Sequence, residues 1–274
     1  MEVNGYDLQP GVDIRGANLS STNLTGVDLR GADIRGANFS GAILHRALLD
    51  GALLWATEIG RQIPTNFSGA DLSEARLINL QGGNESNFSG ANLRRVDFRG
   101  AQLPLANFAG ANMESARFAN IDNIGRPPET CLKMANLRGA NLAYCDLRGV
   151  NLAHAFLQGA QLMNADLRDA ILSIADLSGA DLRSANLQGV RLMDVDLRGC
   201  LLHLANLSNA DLNGSRKLGG ANFTEANLEY ANLRGANLHG TIFHKADLSG
   251  AYMTDTTTEG AIFTGATMPD GTIR

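Results

Sequence analysis

The sequence predicts an all-β fold, a parallel β-helix with four sides and roughly twelve coils. Three observations carry this expectation. An apolar residue, usually Leu or Phe, recurs every five residues through most of the chain, and the residue two before it is small. Phenylalanines also repeat at twenty, as in Phe88 and Phe108, Phe98 and Phe118, and Phe223, Phe243 and Phe263.

A period of five fits neither regular element. On an α-helix each repeat would advance the apolar residue by about 140° and smear the stripe around the surface. In an extended strand the side-chain period is two, so successive centres would face opposite ways. Each unit must therefore contain a corner. With the apolar centre called i, residues i−2 and i point inward along a short extended segment and i−1 and i+1 point outward. The glycine common at i+2 supplies the backbone freedom of the turn. Of 47 centres, 32 have Ala at i−2 and 29 have Asp or Asn at i−1, so the interior is narrow, with Leu set against Ala. A spacing of twenty between like side chains means four sides to a coil, and rungs about 4.8 Å apart would make a rod on the order of 55 Å long. A core this narrow accounts for an aromatic content of only 5% in 274 residues.

The elements follow in order. Residues 1–11 are too few for a long helix and form an N-terminal cap. Centres then run from Ile14 to Ile59, from Phe67 to Leu77, from Phe88 to Phe118, from Leu132 unbroken to Leu212, from Leu218 to Met253, and finally at Phe263 and Met268. The slips of phase predict loop insertions near 60–66, 79–87, 119–131 and 213–217, with one or six extra residues in the second. They belong to one repeat domain over 12–268, because the same repeat resumes on both sides. The longest insertion contains Pro127-Pro128, which cannot occupy a ladder position that donates a hydrogen bond. Residues 269–274 are a tail whose Pro269-Asp270-Gly271 turn is expected to stop further pairing.

Composition excludes several functions. The net charge is −5, from 23 basic and 28 acidic residues, which leaves no basic stripe for direct nucleic-acid binding and no polybasic patch for a membrane. No apolar stretch approaches about 18 residues, and Met1 to Gly11 lacks the pattern of a secretion signal. Cys131, Cys145 and Cys200 are an odd number without CxxC spacing, so reduced thiols in the cytoplasm are expected rather than disulfides or zinc. The five histidines are scattered, no phosphate or dinucleotide loop occurs, and the many aspartates are a feature of the repeat. No catalytic residue, cofactor or metal is expected.

Tandem units such as Ala135-Asn136-Leu137-Arg138-Gly139 and Ala180-Asp181-Leu182-Arg183-Ser184 resemble the A(D/N)LXX pattern of the pentapeptide-repeat family, over residues 12 to 268. The resemblance implies a right-handed, quadrilateral coil in a family widespread in bacteria, above all cyanobacteria, mostly without an assigned biochemical role. Members that protect DNA gyrase from fluoroquinolones are held to mimic duplex DNA with an acidic rod and to dimerise through a C-terminal helix. Here the residues after Met268 leave no room for such a helix, so a monomer is expected. Asp at i−1 and Arg at i+1 recur together, as in Asp13/Arg15, Asp146/Arg148 and Asp196/Arg198, which makes a poor imitation of DNA.

The expected function is that of a non-enzymatic protein-interaction scaffold or regulator of unknown partner, with a DNA-mimicking modulator of gyrase or another topoisomerase as the alternative. The candidate partner surface has two parts. One is the loop with Arg126, Pro127, Pro128 and Glu129. The other is a ladder of outward apolar residues, Tyr144, Met163, Leu201, His203 and Leu204, which the twenty-residue coil puts on one side; Ile171, Ile174 and Met193 share the opposite side. Ile43, Leu48 and Leu53 precede the first loop together with Trp55, and are expected either to lie beneath residues 60–66 or to form a patch.

Overall fold

The computed structural model describes residues 1–274 except 55–63, 120–129, 193, 213–217 and 219–220. The chain divides into two compact units, Met1–Asn141 and Leu142–Arg274. The described residues contain no α-helix.

In both units the five-residue repeat folds as a two-residue turn between short extended segments, and its hydrogen bonds explain its composition. Around Phe67 all five backbone donors are satisfied. The Asn66 amide donates to Ala37 in the preceding coil, and those of Phe67 and Gly69 donate to Asn87 and Ser89 in the next, at 2.7–3.0 Å. The Ala70 amide closes the turn onto the Phe67 carbonyl at 3.0 Å. Only the amide of Ser68 has no rung to join, and the side chain of Asn66 accepts it at 3.0 Å. This Asx turn is why Asp or Asn precedes the apolar centre. Gly69 has φ of 63°, the left-handed conformation demanded by the third residue of a type II turn.

In unit 1 the rungs pair in parallel at the expected spacing: Asp13 with Asp33, Asn18 with Asn38, Asn23 with Ile43 and Asp28 with Leu48. These four successive pairings are the four sides. Every described centre from Ile14 to Phe118 is buried, and Phe39, Phe67, Phe88 and Phe108 stack face to face with centroids 4.9–5.0 Å apart. Phe98 meets Phe88 and Phe108 edge-on at 6.4 and 6.0 Å. The asparagines beside this stack lie on the outer side of the alternation but are half-buried rather than exposed. Asn38, Asn66, Asn87, Asn107 and Asn136 each donate a side-chain N–H to the asparagine one coil back, at 3.0–3.3 Å, in a ladder starting at Asn18. Stacking of identical side chains turns the i−1 position along the coil axis.

The same ladder measures the insertions. Its step is 20 residues from Asn18 to Asn38, 28 from Asn38 to Asn66, 21 from Asn66 to Asn87 and 29 from Asn107 to Asn136. The loop expected over 79–87 is thereby reduced to one extra residue, at Gly82. Leu80 is fully buried and Gln81 pairs with Leu53, so the coil runs straight through. Gly82 takes φ of 67° and displaces the inward position to Gly83, whose amide donates to Gln102 at 2.9 Å. A Cβ at Gly83 would fall against Leu103 Cδ2, so glycine stands where other units carry leucine.

Unit 1 begins with an antiparallel hairpin of β1 (Glu2–Val3) and β2 (Tyr6–Asp7). Asn4 and Gly5 between them have φ of 50° and 81°, the two left-handed residues of a type I′ turn. Asn4 Nδ2 donates to the Asn18 carbonyl at 3.2 Å.

Unit 2 repeats the pattern with Asp146 on Asp166, Gln161 on Asp181 and Asn186 on Asn206, and its described centres from Leu142 to Leu248 are buried. Phe223, Phe243 and Phe263 stack at 5.1 Å, as their spacing predicts. The end of the chain folds back through Pro269-Asp270-Gly271 and pairs Ile273 antiparallel with Thr267. Arg274 lies over the Phe263 ring at 5.5 Å.

Candidate interaction surface

About half of the described turns place glycine at the left-handed position, where a Cβ crowds the following carbonyl. A minority carry large side chains instead. Leu105 and Met134 in unit 1, at φ of 61° and 59°, occupy successive coils and are exposed. In unit 2 Tyr144, Ile174, Leu204 and Tyr230 have φ of 60°, 59°, 59° and 55°, and each is more than half exposed. Left-handed backbone costs such residues roughly 1–2 kcal/mol, and the four in unit 2 leave more than half of their surface in water. Ile174 is the most strained, being β-branched. Side chains that help neither turn nor core point to an external partner.

Tyr144, Met163, Leu201, His203 and Leu204 do share one side of unit 2, but not as an unbroken apolar ladder. Tyr144 is 60% exposed and its amide donates to Met163 at 2.9 Å. Leu201 and Leu204 are 41% and 54% exposed. Between the two clusters lies Asp181 paired with Arg183 at 2.6 Å, and Arg183 Nη2 reaches the Met163 sulfur at 3.3 Å. His203 is half-buried, with Nδ1 donating to the Thr224 carbonyl at 3.0 Å and Nε2 4.0 Å from Glu225. With Leu201 at i−1, the His203 amide lacks the side-chain acceptor that Asp or Asn supplies elsewhere.

Trp55, Arg126, Pro127, Pro128, Glu129 and Met193 lie outside the described residues, as do 60–63 of the first expected loop and all of 213–217. Ile43 and Leu53 are exposed and Leu48 is half-buried. Leu105, Met134 and the pair Tyr230 and Tyr252, the latter under Arg234 at 4.7 Å, are exposed residues that the side-by-side reading of outward positions missed. A large side chain at i+2 was the available signal.

The charges cancel locally. Asp13, Asp28, Asp33, Asp97, Asp146, Asp166, Asp181 and Asp196 each pair with the Arg two residues on, at 2.6–2.8 Å. The hydrogen bond from Arg183 holds the Asp181 carboxyl below its usual range, and Arg15 and Arg30 do the same for Asp13 and Asp28. Burial opposes the effect at Asp166, but the bond from Arg168 prevails. Among the described residues no group of His, Cys, Asp and Glu is arranged to hold a metal ion, and no helix is long and apolar enough to cross a membrane.

In each unit, five residues per side and four sides per coil, paired rung on rung, define a tandem-repeat coil. The chain belongs to the pentapeptide-repeat family: the model of that family, described as "Pentapeptide repeats", matches eight copies over residues 11–54, 84–122, 130–169, 160–199, 175–214 and 217–255. No curated protein is similar enough in sequence to count as a relative. Among solved structures the chain is similar to HetL, a pentapeptide-repeat protein involved in heterocyst differentiation regulation in the cyanobacterium Nostoc sp. strain PCC 7120. The two are 29% identical over 97% of this chain and 92% of HetL, with a TM-score of 0.25. It is also similar to QnrB1, a plasmid-mediated fluoroquinolone resistance protein, at 19% identity over 83% and 90% of the two chains and a TM-score of 0.30. A pentapeptide-repeat protein of the Arabidopsis thaliana thylakoid lumen is 29% identical over 50% of this chain and 70% of its own, with a TM-score of 0.17. At TM-scores below 0.5 these likenesses carry nothing about residues or partners.

Proposed function

We propose that the protein is a non-enzymatic interaction scaffold that binds a partner protein through large side chains held at the left-handed corners of a right-handed coil. The observation that carries this reading is the exposure of Tyr144 and Leu204 at positions where glycine would serve the fold better. A rigid ladder presents such side chains with little ordering cost on binding. Cys131, Cys145 and Cys200, thiols outside any disulfide, fit a cytoplasmic setting. The interleaved Asp–Arg pairs weigh against the alternative, an acidic mimic of DNA acting on a topoisomerase.

The test is a pull-down from the native host with the intact protein beside a Tyr144→Gly/Leu204→Gly variant. Loss of a partner while the melting temperature rises or holds supports the surface. An unchanged partner set, or potent inhibition of gyrase supercoiling by the intact protein, defeats the reading.

A further inference from the structure

On one side of unit 2 the rung ladder opens. Ile171 pairs with Asn151 in the preceding coil and Arg191 with Asp211 in the following one, yet Ile171 and Arg191 do not pair with each other. The neighbouring sides of the same two coils are closed, with Asp166 on Asn186 and Asp176 on Asp196. One coil earlier the equivalent amides of Gly149, Leu152 and Ile171 all donate across the rung, at 2.8–3.1 Å. Those of Asp169, Leu172 and Arg191 have no such acceptor among the described residues. The Ser173 amide is a fourth, because Ile171 replaces the Asp or Asn whose side chain would accept it. The opening holds a cavity of about 490 Å³, walled by Ile171, Leu172 and Val190 and flanked by Asp169 and Arg191. Ile174, strained and 55% exposed, stands at the same turn.

Main-chain donors beside buried residues such as Leu172 and Val190 need partners. Here they line two extended segments facing each other, and what complements alternating N–H and C=O groups along an extended line is another extended main chain. The cavity is within the ordinary range of ligand sites, about 300–1,000 Å³. We propose that this opening receives an extended peptide segment of a partner protein, whose backbone completes the broken rung. An apolar side chain of the segment packs on Ile171, while an acidic residue faces Arg191 and a basic one faces Asp169. The proposal rests on the reading of the protein as an interaction scaffold and names how one partner is held.

The probe is a capped pentapeptide with a β-branched centre, one acidic end and one basic end, beside a control of identical side chains whose backbone nitrogens are methylated. Amide exchange is followed by NMR on the whole protein. In the free protein the Leu172 and Arg191 amides are expected to exchange at least tenfold faster than those of Leu152 and Leu182, and the peptide is expected to slow them at least tenfold while the methylated control does not. Equal protection of all four amides in the free protein means the rung is closed and overturns the proposal. So does peptide at millimolar concentration without effect, or equal binding of the methylated control. The Tyr144 and Leu204 pull-down is independent of these amides, so the failure of the peptide site leaves the wider reading standing and is distinguishable from its failure.

Discussion

Arg198 meets Asp196 two residues away at 2.6 Å, but only one of the two is in water: the guanidinium side chain is 61% exposed and the carboxylate 5%. In the pair of Arg15 with Asp13, at 2.7 Å, both side chains are about half exposed, at 48% and 55%. Removing a cation from a carboxylate that solvent cannot reach is costly, whereas exposed pairs contribute little. Arg198→Ala is therefore expected to lower Tm clearly and Arg15→Ala by no more than about 2 °C. Equal shifts in thermal melts of the two variants would refute the distinction.

Acid should unfold the protein through its arginine-paired aspartates. The carboxyls of Asp13, Asp28, Asp166 and Asp181 sit below their ordinary value of 3.8 in the folded state. A lowered pKa contributes stability that is complete above the unfolded value and is lost as pH falls through the folded one. Tm is expected to be level from pH 7 to about 5 and to fall below about pH 4. Asp166→Asn/Asp181→Asn should lower Tm at pH 7 and flatten the acid limb. A double variant that retains the full acid slope would show that other groups govern it.

Phe88 touches three aromatic rings, stacked on Phe67 and Phe108 at 4.9 Å and edge-on to Phe98 at 6.4 Å. Truncation leaves a cavity in a core with no slack, so Phe88→Ala is expected to cost about 3–5 kcal/mol in urea unfolding. Phe88→Leu supplies the residue most units use and should cost less than about 1.5 kcal/mol. A loss for Phe88→Leu as large as for Phe88→Ala would contradict a coil that accepts either side chain.

Gly82 is one residue too many, and Gly83 is small because Leu103 occupies its space. Gly83→Ala is expected to destabilise by roughly 1–3 kcal/mol. Deleting Gly82 together with Gly83→Leu restores a regular unit and should leave Tm equal or higher. A fall in Tm on that repair would mean the bulge is required for folding.

Much of this protein was legible in its sequence because the repeat is a local code. A corner every five residues and like side chains every twenty are fixed by steric fit and by the period of extended chain, and the stacked phenylalanines and eight Asp–Arg pairs followed from them. Two signals were present and passed over: Asn4-Gly5, whose hairpin opens unit 1, and the large residues at the glycine position of the turn. The half-buried asparagines departed from expectation because alternation along one strand says nothing of a bond to an identical side chain one coil away.

What only the tertiary structure decided are the places where one coil fails to match the next. The spacing of twenty put Tyr144, Met163, Leu201, His203 and Leu204 on one side with the Asp181–Arg183 pair between them, but not the reach of Arg183 to the Met163 sulfur. It placed Ile171 opposite Arg191 but could not show that they do not bond. It left one or six extra residues before Phe88, and the coil chose one. The physical reason is common to all three. The sequence sets the shape of each unit through neighbours five residues away, whereas the closing of a rung depends on side chains twenty or more residues apart competing for the same space.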